Sequence, residues 1–226
     1  MSQFGMPKFL LIFLLVLAAH PVSAADALPA GERSNVLARL AAIHGKNTGM
    51  TASFVEKKTS RLLKAPLVTS GTIAFKSPDK FRREVTGNNP SVSVCDGKTL
   101  WIYYPKFKEA ERYELGSQGF FDDALAALTV GLSFENVEDY YRLQIYPYRG
   151  GYRMVLTPRS SKLRRVIAQL TIYLNSDMKV FRTDAILPKR DRVVTDYRNV
   201  QRRSIPDSTF SFHPPAGTNV TRPMGK

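Results

Sequence analysis

The sequence predicts an α+β fold: a strongly curved antiparallel sheet of about eleven strands, an unclosed β-barrel, with a lid of two or three helices. Three observations carry this. From Thr51 onward hydrophobicity alternates with period two in one short segment after another, the spacing that sends one side of a strand to a core and the other to water. Short turn-forming stretches separate these segments, and short turns join antiparallel neighbours. Only two stretches carry a helical period, and an open sheet with an apolar face needs a cover.

The first elements precede the sheet. Met1–Lys8 carries one positive charge, Phe9–Ala19 is an eleven-residue apolar run, and Val22-Ser23-Ala24 supplies small residues for a cleavage site. That is the pattern of an export signal over residues 1–24, leaving 25–226 as one domain. Eleven apolar residues are too few to cross about 30 Å of hydrocarbon. Residues 33–44 place Val36, Leu40 and Ile43 on one helical stripe with Leu37 beside it, and Gly45 can stop the helix.

Strands are expected at 50–58, 67–76, 80–86, 91–96, 99–104 and 109–115. Asp96-Gly97, between two alternating runs, is a hairpin signal. Residues 118–130 change to a helical period, with Phe120, Phe121, Leu125 and Leu128 on one face and Asp122 and Asp123 in the first turn, where the helix dipole favours acids. A helical turn near 134–139 follows. Strands then return at 140–147, 151–157, 166–174, 179–187 and 191–200, with turns at Gly150-Gly151 and Asn175-Ser176-Asp177. A last short strand is expected around Phe210 and Phe212.

Composition narrows the function. The 226 residues carry a formal net charge of +14. A basic chain suggests nucleic acid, but the export signal argues against that partner and for a periplasmic location. Residues 142–203 hold fifteen Lys/Arg against four Asp/Glu, while 112–141 hold one Arg against six acids. The basic half is either a solvated outer face or a docking surface for acidic partners or anionic headgroups, including transient contact with a membrane surface.

No catalytic or metal signature appears, and no cofactor is expected. Gly116-Ser117-Gln118-Gly119 has the wrong spacing for a nucleophile elbow. Gly97-Lys98 lacks the earlier glycine of a phosphate loop. Beyond the signal, His44 and His213 are the only histidines, and both read as structural. Cys95 is the sole cysteine, which excludes an internal disulfide and a lipidated cysteine after the cleavage site. It reads as a small half-buried strand residue, with a nucleophile as the alternative.

The stretch Gly71-Thr72-Ile73-Ala74-Phe75-Lys76-Ser77-Pro78-Asp79-Lys80-Phe81-Arg82, followed by Asp96-Gly97-Lys98-Thr99-Leu100-Trp101, resembles the LolA family of periplasmic outer-membrane lipoprotein carriers. Phe54 fits the early Phe-x-Gln strand. The end, Tyr197-Arg198-Asn199-Val200, then Ile205-Pro206-Asp207 and Phe210-Ser211-Phe212-His213-Pro214-Pro215, fits as well. The resemblance implies an unclosed barrel with a helical lid over an apolar cavity. It also implies a non-enzymatic monomer that receives acylated lipoprotein, or a related lipid, from an inner-membrane ABC transporter and passes it to an outer-membrane lipoprotein acceptor. A sensor or regulatory domain of the same fold is the alternative.

Four departures stand out: Glu56 where Gln is common, Arg83 where an aromatic is common, Cys95 where Ser is usual, and the charged turn Lys189-Arg190-Asp191-Arg192. Arg83 is expected on the face of Phe81 and Val85, where it snorkels to the rim, pairs with Asp122 or Asp123, or meets an anionic cargo.

Alternation assigns the cavity lining to Ile73, Phe75, Phe81, Val85, Val92, Val94, Leu100 and Ile102. Later strands add Leu143, Ile145, Met154, Leu156, Leu170 and Ile172, and the lid adds Phe120, Phe121, Leu125 and Leu128. A packed core would carry the same pattern.

Overall fold

The computed structural model describes residues 26–44, 49–115, 134 and 137–223. The signal segment 1–24 and the helix expected at 118–130, with Phe120, Phe121, Asp122, Asp123, Leu125 and Leu128, lie outside the described residues.

Helix α1 (Ala30–His44) starts three residues earlier than its apolar stripe suggested. Pro29 precedes it and its carbonyl accepts from Arg33 N at 3.0 Å, so the first turn forms before the stripe begins. The strands follow as β1 (Gly49–Thr59), β2 (Leu67–Lys76), β3 (Lys80–Thr86), β4 (Ser91–Asp96), β5 (Thr99–Tyr104) and β6 (Glu109–Glu114). A one-turn helix, α2 (Val137–Tyr140), leads into β7 (Tyr141–Tyr148) and β8 (Gly151–Pro158). Another, α3 (Ser161–Arg164), precedes β9 (Gln169–Leu174), β10 (Val180–Ile186) and β11 (Arg192–Arg202). The chain ends with a 3-10 turn (Asp207–Phe210) and β12 (Asn219–Thr221).

All twelve strands form one sheet in the order β12-β6-β5-β4-β3-β2-β1-β11-β10-β9-β8-β7. It does not close, since β12 and β7 are edges. The N- and C-terminal halves are joined by β1 pairing with β11. The β7 edge is partly covered, since Leu28 N donates to Ile145 O at 2.7 Å, and the other edge is the short strand β12, which lies along β6.

Several expectations need correction. The β12–β6 pair is parallel, so the sheet is not antiparallel throughout. Phe210 lies in the 3-10 turn and Phe212 beyond it, and the last strand comes seven residues after Phe212. Helix α3 is too short to show a period, but Ser160 Oγ accepts from Leu163 N at 3.1 Å and caps it. The β7–β8 turn is centred on Arg149-Gly150, both with positive φ (48° and 77°), while Gly151 already pairs with Tyr148. Two left-handed residues in succession match the twist of a two-residue hairpin.

The cross-strand register decides which side chains share a face. On one face Ile145 stands beside Met154, Met154 beside Ile172 and Ile172 beside Thr183. The same face continues through Thr195 and Tyr197 of β11, Phe54 of β1, Gly71 of β2 and Val85 of β3. This is the inner face, because α1 packs on it: Val36 and Leu40 belong to the buried cluster of Leu143, Ile145, Met154, Leu156, Leu170 and Ile172.

The outer face is covered as well near β3–β5. The 3-10 turn rests on β3 and β4. Phe212 meets Trp101 and Tyr103 with ring centroids 5.8 and 5.6 Å apart. Lys76 and Lys80 clamp this segment through Asp207, at 2.7 and 3.0 Å. Both ammonium groups hold the exposed Asp207 carboxyl below its ordinary value.

Candidate functional site

The inner face divides into two unlike halves. On the β7–β10 side Ile145, Met154, Leu156 and Ile172 have no exposed surface, and Leu143 and Leu170 are nearly as buried. Among the described residues these six are packed core beneath α1, in one cluster with Phe134 and Val137 among others.

The β2–β5 side is different. The register brings Ile73, Phe75, Phe81, Val85, Leu100 and Ile102 to the inner face. Phe75, Val85 and Leu100 are buried, whereas Ile73, Phe81 and Ile102 are half-buried. Phe81 and Ile102 pack around the small cluster of Cys95, Leu100 and Tyr113.

Val92 and Val94 do not join them. Val94 pairs with Arg82 and Trp101, and Val92 pairs with Glu84 and Tyr103, so both face outward. Val94 is buried there because the C-terminal segment covers that side. Val92 is only half-buried, and the Val-x-Val alternation does not tell which face the two valines take. Cys95 takes the inner place beside Phe81 and Leu100. It is fully buried, and burial pushes its thiol up to about 11 despite the hydrogen bond from Gly97 N at 3.4 Å. A protonated buried thiol is a poor nucleophile.

Between the two halves lies a polar band. Arg83 Nη2 reaches past β2 to Glu56 Oε1 on β1, 3.1 Å away. Its guanidinium stands 4.4 Å from the centre of the Phe54 ring, a cation–π contact. Thr195 Oγ1 donates to Glu56 Oε2 at 3.2 Å, and the Thr183 and Tyr197 hydroxyls are 3.4 Å apart. Burial pushes the Tyr197 hydroxyl above its ordinary value. Gly71, between Phe54 and Val85, presents no side chain, so the Arg83 side chain can cross β2.

The two departures noted in the sequence, Glu56 and Arg83, are thus partners. Arg83 does lie on the face of Phe81 and Val85, and among the described residues its ion-pair partner is Glu56. Period-two reading could place each residue on its face. It could not join them, because they sit on non-adjacent strands.

The pair is about a quarter exposed at each end, with side-chain exposures of 27% and 26%. Its coupling is therefore discounted for solvent. A denaturation cycle with Glu56→Gln, Arg83→Phe and the double variant is expected to give a coupling energy of roughly 0.5–1.5 kcal/mol. Additive single effects would refute the pairing. The band separates the packed β7–β10 half from the half-buried apolar side chains of the β2–β5 half, with one cation and one anion at the border. Among the described residues no cluster of His, Cys, Asp or Glu could hold a metal ion.

Comparison with known proteins gives a consistent result. The family model described as "Outer membrane lipoprotein carrier protein LolA" matches residues 45–213. The outer-membrane lipoprotein carrier protein of Cronobacter sakazakii is 27% identical over 213 residues, covering 94% of this chain and 97% of that one. The protein of the same name from Klebsiella pneumoniae is 27% identical over 213 residues, with the same coverage. The crystal structure of an uncharacterized conserved protein from Thermus thermophilus has a TM-score of 0.53 at 11% identity, over 84% of this chain and 99% of that chain. That last likeness is one of fold alone.

Proposed function

Because this chain belongs to the LolA family of outer membrane lipoprotein carrier proteins, we propose that it is a periplasmic carrier that shelters the acyl chains of lipoproteins, or of a related lipid, on the β2–β5 side of its inner face. Residues 1–24 direct export and are removed, and 25–226 form one monomeric carrying domain. The carrier receives cargo from an inner-membrane ABC transporter, passes it to an outer-membrane lipoprotein acceptor and catalyses no reaction.

The observation that carries this reading is the half-buried apolar surface of Ile73, Phe81 and Ile102 beside the Arg83–Glu56 band. Acyl chains cannot cross water unaided. Each exposed methylene costs about 0.8 kcal/mol, so a dozen cost on the order of 10 kcal/mol. A carrier has to remove that surface from water and still release it. Partly exposed apolar side chains suit such a task, because they gain burial when cargo arrives and lose it when cargo leaves. Fully packed ones such as Met154 gain nothing.

Native mass spectrometry of the protein taken gently from the periplasm tests the reading. A bound acylated polypeptide or lipid is the expected result. Phe81→Asp is expected to weaken uptake of a fluorescent fatty acid about tenfold or more, since an uncompensated carboxylate would face the chain. A chain that carries no lipid, with uptake unchanged in Phe81→Asp, would overturn it.

A further inference from the structure

The turn between β1 and β2 places apolar side chains where nothing among the described residues covers them. Leu62 is 90% exposed, Val68 60%, Leu67 49% and Leu63 40%. The turn is built rather than loose. Ser60 Oγ accepts from Leu62 N and Ser60 O accepts from Leu63 N, both at 3.2 Å, so Leu62 is held at the apex. Leu67 and Val68 open β2 opposite Lys58 and Lys57. Soluble chains seldom leave such a cluster bare without a use for it.

The charges around it have one sign. Thr59 pairs with Arg192, which sets the β1–β2 turn beside the β10–β11 turn at the same end of the sheet. Segments 59–68 and 187–192 together hold five cations and one acid, Asp191. Arg61, Lys64, Lys189 and Arg190 are exposed, and none has an ion pair among the described residues. Further along the same rim the β5–β6 turn repeats the combination, with Phe107 62% exposed between Lys106 and Lys108.

We propose that this rim, led by Leu62 and Leu63, docks on an anionic phospholipid surface. Leucines at the apex enter the boundary between headgroups and acyl chains, while the flanking cations meet the phosphates, the arrangement by which a peripheral protein lies on a bilayer. Charge complementarity singles out this occupant: an apolar tip flanked by unpaired cations fits a fluid, apolar, negatively charged layer. A second copy of this chain would bring the same cations against themselves. Leu62 and Leu63 lie in the turn beyond the paired strands, whereas Leu67 shares the inner side of β2 with Gly71 and Ile73; the inference rests on the turn and not on what the inner face carries.

Flotation of the full chain with vesicles tests this. Vesicles of phosphatidylethanolamine and phosphatidylglycerol are expected to bind it roughly tenfold or more tightly than phosphatidylcholine vesicles, with binding that falls as salt rises. Leu62→Asp with Leu63→Asp is expected to cut binding roughly 10- to 100-fold, with an unchanged melting temperature and unchanged fatty-acid uptake. Lys64→Glu with Arg190→Glu is expected to weaken binding to the anionic vesicles and flatten its salt dependence. Equal binding to both lipids, or full binding by the double leucine variant, would overturn the proposal. So would a solution dimer that the leucine variant dissociates, which would assign the rim to a second copy. A wild-type chain that binds vesicles but takes up no fatty acid would count against the carrier reading and leave this one standing.

Discussion

Gly71→Ala is expected to destabilise the protein by about 3 kcal/mol or more, lowering the melting temperature by roughly 6–12 °C. A Cβ at this position would stand 1.8 Å from the backbone oxygen of Glu84 and 3.1 Å from Cε1 of Phe54. The first contact is with the neighbouring strand itself, so no rotamer change relieves it. Either β2 and β3 separate or β2 shifts toward β1, and both outcomes disturb ladder hydrogen bonds. The substitution also strikes the site, because Gly71 lies under the crossing of Arg83 to Glu56. Gly31→Ala is the control: nothing lies within 4 Å of a Cβ there, and the residue sits in the first turn of α1. It is expected to be neutral or to stabilise by up to about 1 kcal/mol. Thermal denaturation followed by circular dichroism separates the two. Equal melting temperatures would show that β2 and β3 leave room for a methyl group between them.

Leu156→Ala is expected to cost about 2–5 kcal/mol and to leave fatty-acid uptake within roughly a factor of two of wild type. Leu156 has no exposed surface and lies in the cluster beneath α1, so truncation removes apolar burial and leaves a cavity. If cargo occupies the β2–β5 side, a void beneath α1 changes stability and not capacity. Phe81→Asp is expected to cut uptake about tenfold or more and to cost stability as well, since Phe81 packs on the Cys95, Leu100 and Tyr113 cluster. Chemical denaturation and probe titration on both variants decide the matter. Uptake that collapses in Leu156→Ala while the protein stays folded would move the cargo to the β7–β10 side.

Much of the fold was legible because burial in this sheet mostly follows strand period. Segments such as Tyr141-Arg142-Leu143-Gln144-Ile145 alternate buried and exposed without a break, and the strand falls where the alternation does. Reading failed where a second layer intrudes. At β4 the outer side is buried by the C-terminal segment, so Val92 and Val94 carried the apolar signal while Cys95 took the inner position. At the C-terminus, phenylalanines spaced as in a strand turned out to cover one. β12 has only three residues, all exposed, and its place depends on a distant partner.

Alternation alone groups Ile73, Phe81 and Ile102 on one face, and the register places them together there. The same alternation also assigned Leu143, Ile145, Met154, Leu156, Leu170 and Ile172, and no local signal distinguishes a residue that packs under a helix from one left half-open. The Arg83–Glu56 pair needed the strand order, because charge on a single strand says nothing about which charge lies two strands away. Nothing in the sequence pattern singles out the exposed turn at Leu62 and Leu63, because adjacent leucines fit neither period.

The β1–β11 seam bears on how the molecule assembles. Glu56 and Thr195, which meet across it, are 139 residues apart in sequence. Hairpins on either side can form from local chain as soon as each pair of strands exists, but the junction cannot close until nearly the whole polypeptide is present. Pairing between such distant segments is slow, because the entropy of closing a long loop is lost before any contact repays it. A chain emerging N-terminus first would therefore hold β1 with one side satisfied by β2 and the other bare until β11 arrives. During that interval the open side of β1 is the place where a chaperone, or an unwanted neighbour, would engage the nascent protein.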